Sequence, residues 1–390
     1  MVNACTDSLP MPRCNNAGRR RSAPPLFVGS DFCRAHAFGR NHPLAIPRVS
    51  AVMDLCDALG WLDRVSFRHA QAASVEQLAA FHDRDYVEAL READANGAVA
   101  PEVRVRHRFG TFENPLFPGV FARAATAVGG SILAADLAVE GRVVFHPAGG
   151  THHGRRDRAS GFCYFNDPVF AVRRLLERGA ARVLYVDLDA HHGDGVQAAF
   201  DGDPRVLLVS IHESGRWPHS GAADDRGSGN ACNLPVPAGF NDRELGCLLD
   251  EIVLPAASAF DPDAVVITCG TDALEGDPLS RLSLSNGALW AAVDSLIGLA
   301  GPAVVLGGGG YNPWTLARCW TGLWGRLCGR EIPLALPPQA QLVLAQLQCE
   351  LVEDDDRQPA WLTTLADPPG DAAIRPGIRD LVARHTGRNA

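Results

Sequence analysis

Five short apolar segments, rich in β-branched residues, constrain the fold of this chain more than any other feature. They are RVVFHP (142–147), RVLYVDLD (182–189), RVLLVSIH (205–212), DAVVITCGTD (263–272) and PAVVLGGGG (302–310). Nearly continuous apolarity is typical of strands that are buried on both faces of a parallel sheet. The segments therefore predict at least five strands of one such sheet.

Helical patterns lie between these segments. Apolar residues recur at i, i+3 and i+4 in residues 167–179, 242–260 and 285–300, and a further helix is expected near Gln339–Leu351. Strands that alternate with helices imply right-handed crossovers, with helices covering both faces of the sheet. We therefore predict an α/β fold with a single parallel β-sheet flanked by helices.

One domain over residues 26–375 is the simplest organisation. Residues 1–25 are rich in Pro, Asn, Arg and Ser and are predicted to be a disordered N-terminal tail. Residues 376–390 are predicted to be a C-terminal tail. No repeat or low-complexity block suggests a second domain.

Charge and cysteine content narrow the class of protein. The net charge of −9 over 390 residues does not suggest a nucleic-acid partner. The 11 cysteines are an odd number without a C-x-x-C pair, which favours free thiols in a reducing compartment. No uninterrupted apolar run suggests a membrane span, and the N-terminus lacks a secretory signal. We expect a soluble, cytoplasmic protein with no nucleic-acid or membrane partner; its oligomeric state is unknown from the sequence.

Unusual polar residues follow the predicted strands at their C-terminal ends, where open α/β sheets bind ligands. Asp187 and Asp189 lie at the end of the second segment, His191 follows it, and Asp272 ends the fourth. A carboxylate and an imidazole two residues apart suit a divalent metal, and Asp272 supplies a third ligand at an equivalent position. Two aspartates and one histidine leave coordination positions open, as in a catalytic metal site. The alternative for this motif alone is a loop of capping and surface charges.

Two further motifs suggest catalytic groups. His152 and His153 stand between glycines that allow both rings to face one ligand, and together they could divide proton transfer. Each would need an orienting carboxylate, for which Asp187 and Asp194 are available. Four glycines precede Tyr311 without the Lys-Ser or Lys-Thr of a phosphate loop, so the segment could instead present a phenol to a developing oxyanion. Taken singly, a surface histidine pair and a tight turn remain open.

Taken together, these motifs resemble the histone-deacetylase-like branch of the arginase/deacetylase superfamily, in particular bacterial acetoin-utilisation-type and histone-deacetylase-like amidohydrolases. The resemblance is carried by NHPLAIPRVS, FENP, HPAGGTHHG, RASGFCYFND, YVDLDAHHGDGV and LGGGGYNPWTLARCW. It implies the metal ligands Asp189, His191 and Asp272. It implies His152 and His153 as catalytic histidines, with Asp187 partnering His152 and Asp194 partnering His153, and Tyr311 as the oxyanion phenol.

The resemblance also implies how a substrate is held. The substrate-binding residues are then Phe162, Gly161, Trp217, Glu113 and Gly309. Relatives often carry Phe where Trp217 stands, so the tunnel width can differ here. Arg48 resembles an arginine that lines an internal cavity below the metal. A structural potassium ion is implied at Asp187, Asp189, His191, Ser210 and Ile211.

The activity implied is a zinc-dependent deacetylase, a metal-dependent amidohydrolase that hydrolyses acetyl-lysine in proteins or peptides to acetate and a free amine. Fe(II) is a possible alternative to zinc. One alternative substrate is a small acetylated amine such as an acetylpolyamine, and one alternative function is non-catalytic binding of acetylated ligands. A two-manganese ureohydrolase would need a second dense Asp cluster near Asp272, which the sequence lacks. Substrate choice is expected to depend on rim loops at 105–120 and 213–230.

Overall fold

The computed structural model describes residues 23–35 and 38–387. Within them, eight strands form one sheet in the order β2-β1-β3-β8-β7-β4-β5-β6, and every neighbouring pair is parallel. The strands are β1 (Leu26–Gly29), β2 (Phe67–His69), β3 (Val143–His146), β4 (Val183–Asp187), β5 (Val206–Glu213), β6 (Ala231–Val236), β7 (Ala264–Thr268) and β8 (Ala303–Leu306). Residues 1–22 of the predicted N-terminal tail lie outside the described residues.

Helices surround the sheet. They are α1 (Phe32–Ala35), α2 (Val49–Ala58), α3 (Val75–Leu78), α4 (Arg84–Asn96), α5 (Pro101–His107), α6 (Val120–Ala138), α7 (Asp167–Glu177), α8 (Asp194–Ala199), α9 (Asp242–Leu248), α10 (Leu254–Phe260), α11 (Asn286–Ile297), α12 (Pro313–Leu327), α13 (Pro338–Ala345), α14 (Ala360–Thr363) and α15 (Pro376–Thr386). A π-helical segment, Leu249–Val253, joins α9 to α10. Pro255, the second residue of α10, has no N–H to donate to the preceding turn, which is consistent with the widened hydrogen-bonding pattern there.

The five predicted strands are confirmed as β3, β4, β5, β7 and β8, and they are neighbours in the sheet. Their C-terminal ends therefore lie side by side, and the polar residues that follow them meet at one edge. The strands that the sequence did not reveal, β1, β2 and β6, flank this central group. Two of them are short, and β6 contains Pro235, which is tolerated because β6 lies at the edge of the sheet.

Each face of the sheet packs on its own apolar core. Along β4, Leu184 and Val186 belong to one buried cluster, whereas Val183 and Tyr185 belong to the other. Side chains alternate across a strand, so this division shows that both faces are covered. The predicted architecture, a parallel sheet with helices on both faces, is therefore confirmed.

Helix α6 is long and apolar enough to cross a membrane by length and composition alone. It packs against α7 and β3, and Val128 and Ala134 on it are fully buried. These contacts give its apolar residues partners inside the folded domain.

Helix α15 packs on the core beyond residue 375, where the sequence analysis places the start of a C-terminal tail. Its Ile378 and Leu381 are buried in the same cluster as β7 residues. The Arg375 side chain, just before the helix, forms an ion pair with buried Glu244 on α9. The folded part of the chain thus includes this helix.

Candidate active site

The loop that follows β3 is held by one buried carboxylate, Asp167 at the start of α7. Its oxygens accept hydrogen bonds from Gly150 N (3.1 Å), Thr151 N (2.7 Å), Thr151 Oγ1 (2.5 Å) and Ser131 Oγ (2.5 Å). Gly150 has φ of 93°, a conformation that favours glycine. These bonds fix the irregular backbone that precedes the two adjacent histidines.

The tandem histidines each meet the carboxylate that the resemblance implies. His152 Nδ1 donates to Asp187 Oδ2 at 2.7 Å, and His153 Nδ1 donates to Asp194 Oδ1 at 2.7 Å. The Nε2 atoms of the two rings lie 2.9 Å apart, and all four side chains are buried. Because both Nδ1 atoms donate, a hydrogen bond between the Nε2 atoms requires one ring of the pair to be protonated and therefore cationic.

The charges around the pair decide which ring carries the extra proton. Burial opposes protonation of His152, but the charges of Asp187 and Asp189 outweigh it and raise its pKa to about 9. Burial and the neighbouring charge of His152 lower the pKa of His153 to about 3. His153 is therefore the neutral imidazole, the form that can accept a proton.

The three predicted metal ligands converge at the C-terminal ends of β4 and β7. His191 Nδ1 lies 2.9 Å from Asp272 Oδ2 and 3.2 Å from Asp189 Oδ1, and one ligand atom from each residue lies within 4.8 Å of the others. Asp272 stands in a short 3-10 helix, Thr271–Ala273, directly after β7. The donor set is that of a divalent metal site with open positions.

The charge of this cluster fits a cation. Asp189 and Asp272 are both buried, and burial together with the nearby charge of Asp189 raises the pKa of Asp272. Burial disfavours protonation of His191, yet its bonds to the two carboxylates raise its pKa to about 10. Two buried carboxylates thus need a positive charge between them, which a divalent metal would supply in place of a proton.

The four-glycine segment after β8 closes around these ligands. A Cβ on Gly309 would lie 2.0 Å from Asp272 Oδ2, and one on Gly308 would lie 2.8 Å from Gly270 Cα. Gly309 N also donates to Asp189 Oδ2 at 2.5 Å. The glycines therefore leave the space that the ligand carboxylates occupy, and no phosphate loop is needed to explain them.

Tyr311 is buried at the base of the main cavity. Its backbone N–H donates to Asp277 Oδ2 at 2.7 Å, which holds the Tyr311 backbone in place. Its ring packs edge-on against Phe162 at a centroid distance of 6.0 Å. Tyr311 lines the same cavity as His153 and His191.

Four of the five predicted substrate-binding residues line that cavity, which has a volume of about 710 Å³: Phe162, Gly161, Trp217 and Glu113. The fifth, Gly309, lies instead against the candidate metal ligands Asp189 and Asp272. The Trp217 ring stands edge-on to His153 at 4.6 Å. A Cβ on Gly161, whose φ is 54°, would lie 2.3 Å from the Trp217 ring, so only glycine fits beside this tryptophan. The Glu113 carboxylate accepts a hydrogen bond from Gly161 N at 3.0 Å, which places Glu113 at the rim.

Other predicted residues have clear positions. Ser210 is paired in register with Asp187 on the adjacent strand, so the residues predicted for potassium are neighbours. His192, which was expected to be structural, contacts Ser220 Oγ at 2.8 Å and Gln197 Oε1 at 2.9 Å. Partly buried Arg48 lines a second, smaller cavity and donates to Gly308 O.

The sequence analysis missed several residues that support the site. Asp167, at the start of α7, and Asp277, in a loop, were missed as supports of the site because a single carboxylate carries no pattern. Arg155 directly follows the histidine motif, and its guanidinium bonds both the side chain and the backbone carbonyl of Asp194. Rim residues Leu279 and Arg281 fall outside the two predicted rim loops.

Comparison with known proteins agrees with this site. The histone deacetylase domain family matches residues 42–327. The acetoin utilization protein AcuC of Bacillus subtilis (strain 168) is 34% identical over 340 residues, which cover 83% of this chain and 87% of that protein. Histone deacetylase 8 of Xenopus tropicalis is 33% identical over 298 residues, 74% of this chain and 80% of that protein.

A solved structure shares the fold. The crystal structure of an HDAC homolog from Aquifex aeolicus superposes with a TM-score of 0.88 at 35% identity, covering 93% of this chain and 100% of that chain. The match spans nearly the whole described domain, and the family match includes every residue of the metal and histidine clusters. The chain belongs to the histone deacetylase family of the arginase/deacetylase superfamily, hydrolases that act on amides.

Proposed function

We propose that this chain is a zinc-dependent deacetylase that hydrolyses the amide of acetyl-lysine in proteins or peptides. The observation that carries the proposal is the buried Asp189–His191–Asp272 cluster beside the charge-paired His152 and His153. A solved HDAC homolog that is 35% identical to this chain is complexed with SAHA. We expect the enzyme to act in the cytoplasm.

The three ligands suit zinc, and Fe(II) would also be tolerated by two carboxylates and one imidazole. A divalent metal held there would polarise the amide carbonyl and lower the pKa of a bound water. A potassium ion at Asp187 and Ser210 would have a structural role, because these residues stand on adjacent strands below the site.

The residues of the chain divide the remaining work. Neutral His153 accepts the proton of the attacking water and then returns it to the leaving amine, with Asp194 holding its ring in place. His152 stays cationic beside Asp187 and supplies positive charge near the reacting carbonyl. The Tyr311 phenol donates a hydrogen bond to the oxygen on which negative charge develops.

A substrate panel on enzyme of defined metal content tests this proposal. Peptides with acetyl-lysine, and N-acetylated polyamines, would be compared for acetate release by wild type, Tyr311→Phe and His153→Ala. We expect both variants to lose about 100-fold or more in kcat, because each removes a group that acts in the transition state. His69→Ala, at the exposed last residue of β2, is the matched control.

Two results would contradict the proposal. Near-normal turnover by His153→Ala would show that the base is elsewhere. If the metal-loaded wild type released acetate from none of the substrates, a non-catalytic binder of acetylated ligands would be favoured.

A further inference from the structure

We propose that Arg281 makes this site selective for acetylated substrates that carry a carboxylate next to the acetylated side chain. The inference rests on the proposed function, because it names the substrate class of the same cavity. A preference for carboxylates at Arg281 would favour acetyl-lysine substrates with acidic neighbours over cationic acetylpolyamines.

The position of Arg281 is fixed by its backbone. Arg281 N donates to Glu213 Oε2 at 2.9 Å, and Arg281 O accepts from Gly239 N at 2.6 Å. The side chain is exposed and lines the main cavity together with Leu279. A guanidinium on a doubly anchored backbone therefore stands at the entrance to the site.

The charge of Arg281 is not neutralised by the protein. Its guanidinium makes no hydrogen bond or ion pair within residues 23–35 and 38–387. Glu213, the acid nearest along the rim, is already engaged by the Nε and Nη2 atoms of Arg216 at 2.5 and 3.0 Å. The Glu213 carboxylate is thus paired with the Arg216 guanidinium, and the positive charge of Arg281 is left for a ligand.

A second carboxylate on the rim, that of Glu113, already binds N–H donors. Glu113 accepts hydrogen bonds from Gly161 N at 3.0 Å and from Asn114 Nδ2 at 3.3 Å, so its carboxylate is held in one orientation. A substrate with amide N–H groups toward Glu113 and a carboxylate toward Arg281 would satisfy both sides. A polyamine would bring positive charge to Arg281.

Paired substrates that differ only in charge would test this proposal. One series places Asp, Asn or Lys after acetyl-lysine in the same peptide, and another compares Nα-blocked Nε-acetyl-lysine having a free carboxylate with its carboxamide. The readout is the ratio of kcat/KM for the carboxylate member to that for its neutral partner, in wild type, Arg281→Gln and Arg281→Glu. Exposed Arg330, which does not line the cavity, provides the control Arg330→Gln.

We expect a wild-type ratio of about twofold to fivefold, the size of one exposed ion pair. The ratio should fall to about one in Arg281→Gln, invert in Arg281→Glu, and stay at the wild-type value in Arg330→Gln. It should also approach one at about 1 M salt, where the screening length is roughly 3 Å. The two series show whether the carboxylate comes from a neighbouring side chain or from the lysine itself.

Binding separates this inference from the proposed function. Calorimetry on metal-loaded Tyr311→Phe protein, with and without Arg281→Gln, measures the same preference without turnover. If the carboxylate peptides bind more tightly only when Arg281 is present, while no wild-type acetate release occurs, the inference stands and the deacetylase assignment fails. If acetate is released but the ratio is one in wild type, or is unchanged by Arg281→Gln, the inference is overturned.

Discussion

At the scale of single residues, the site depends on how charge is shared around His153. Asp194 holds the Nδ1 atom of His153, and its other oxygen bonds Arg155. The guanidinium draws part of the carboxylate charge away from the imidazole, which helps to keep the His153 ring neutral. Arg155 is thus a positioning residue that acts on His153 through Asp194.

Arg155→Met should lower kcat by about tenfold, because a hydrogen bond to a charged group contributes about 1.5–3 kcal/mol. Without the guanidinium, Asp194 should raise the pKa of His153, and the acidic limb of the kcat/KM profile should move to higher pH. The profile is measured from pH 5 to 9. Arg156→Met is the control, because exposed Arg156 pairs with Asp83 and forms no ion pair with Asp194. A uniform loss of kcat with an unmoved profile would argue against this role.

Sequence reasoning reached the chemistry of these residues but not all of their supports. Asp189, His191 and Asp272 could be predicted because each follows an apolar strand and carries a ligand atom. Asp167 and Arg155 could not, because their value lies in contacts with backbone groups that only the folded loop brings near. A polar residue without periodicity or neighbours of the same kind gives no signal in a single sequence.

At the scale of elements, the fold was predictable where strands are buried on both faces. The central strands β3, β4, β5, β7 and β8 show continuous apolar runs, so their existence could be predicted from the sequence, whereas their order in the sheet could not. Strand β2 has only three residues, all partly exposed, and resembles a loop in composition. The π-helical segment before Pro255 was likewise invisible, because its apolar spacing is that of an ordinary helix.

The contact between α9 and the segment before α15 is expected to be sensitive to acid. Burial alone would raise the pKa of Glu244, but the hydrogen bonds from Arg375 outweigh it and lower the pKa. The stability that this pair contributes is therefore present above the pKa of the unfolded carboxyl, about 4.3, and is lost as the pH falls through the lower folded pKa.

Glu244→Gln should destabilise the protein by about 1–3 kcal/mol at pH 7, because Arg375 loses a charged acceptor at a buried site. The difference in Tm between wild type and variant should shrink below about pH 4, which calorimetry at several pH values measures. Glu275→Gln, at an exposed carboxylate, is the control. A Tm difference that is constant from pH 7 to pH 3 would contradict the assignment.

At the scale of the whole molecule, the candidate metal ligands join two strands that are adjacent in the sheet but far apart along the chain. Asp189 and His191 follow β4, whereas Asp272 follows β7 more than 80 residues later, as the 81-residue separation of His191 and Asp272 shows. A metal bound to residues after both strands would stabilise the folded state and not the unfolded state, because the unfolded chain does not hold the ligands together.

Removal of the metal by a chelator should abolish acetate release and lower the Tm. At a metal concentration 100-fold above Kd, binding contributes about 2.7 kcal/mol to the free energy of unfolding. Readdition of zinc should restore both properties in wild type, whereas the Tm of Asp272→Asn should respond little to metal. Differential scanning calorimetry with metal analysis provides the measurement. Two tightly bound manganese ions per chain would contradict a one-metal site.

The glycine segment after β8 has a consequence for how this enzyme can change over generations. At Gly309 the missing methyl group coincides with a carboxylate oxygen of Asp272, and at Gly310 it coincides with Thr271 Oγ1. Any mutation that adds a side chain there displaces a ligand or its neighbour before it disturbs the core. Variants in this segment should therefore accumulate as folded but inactive proteins, so that a lineage can exchange its metal ligands only by rebuilding this loop at the same time.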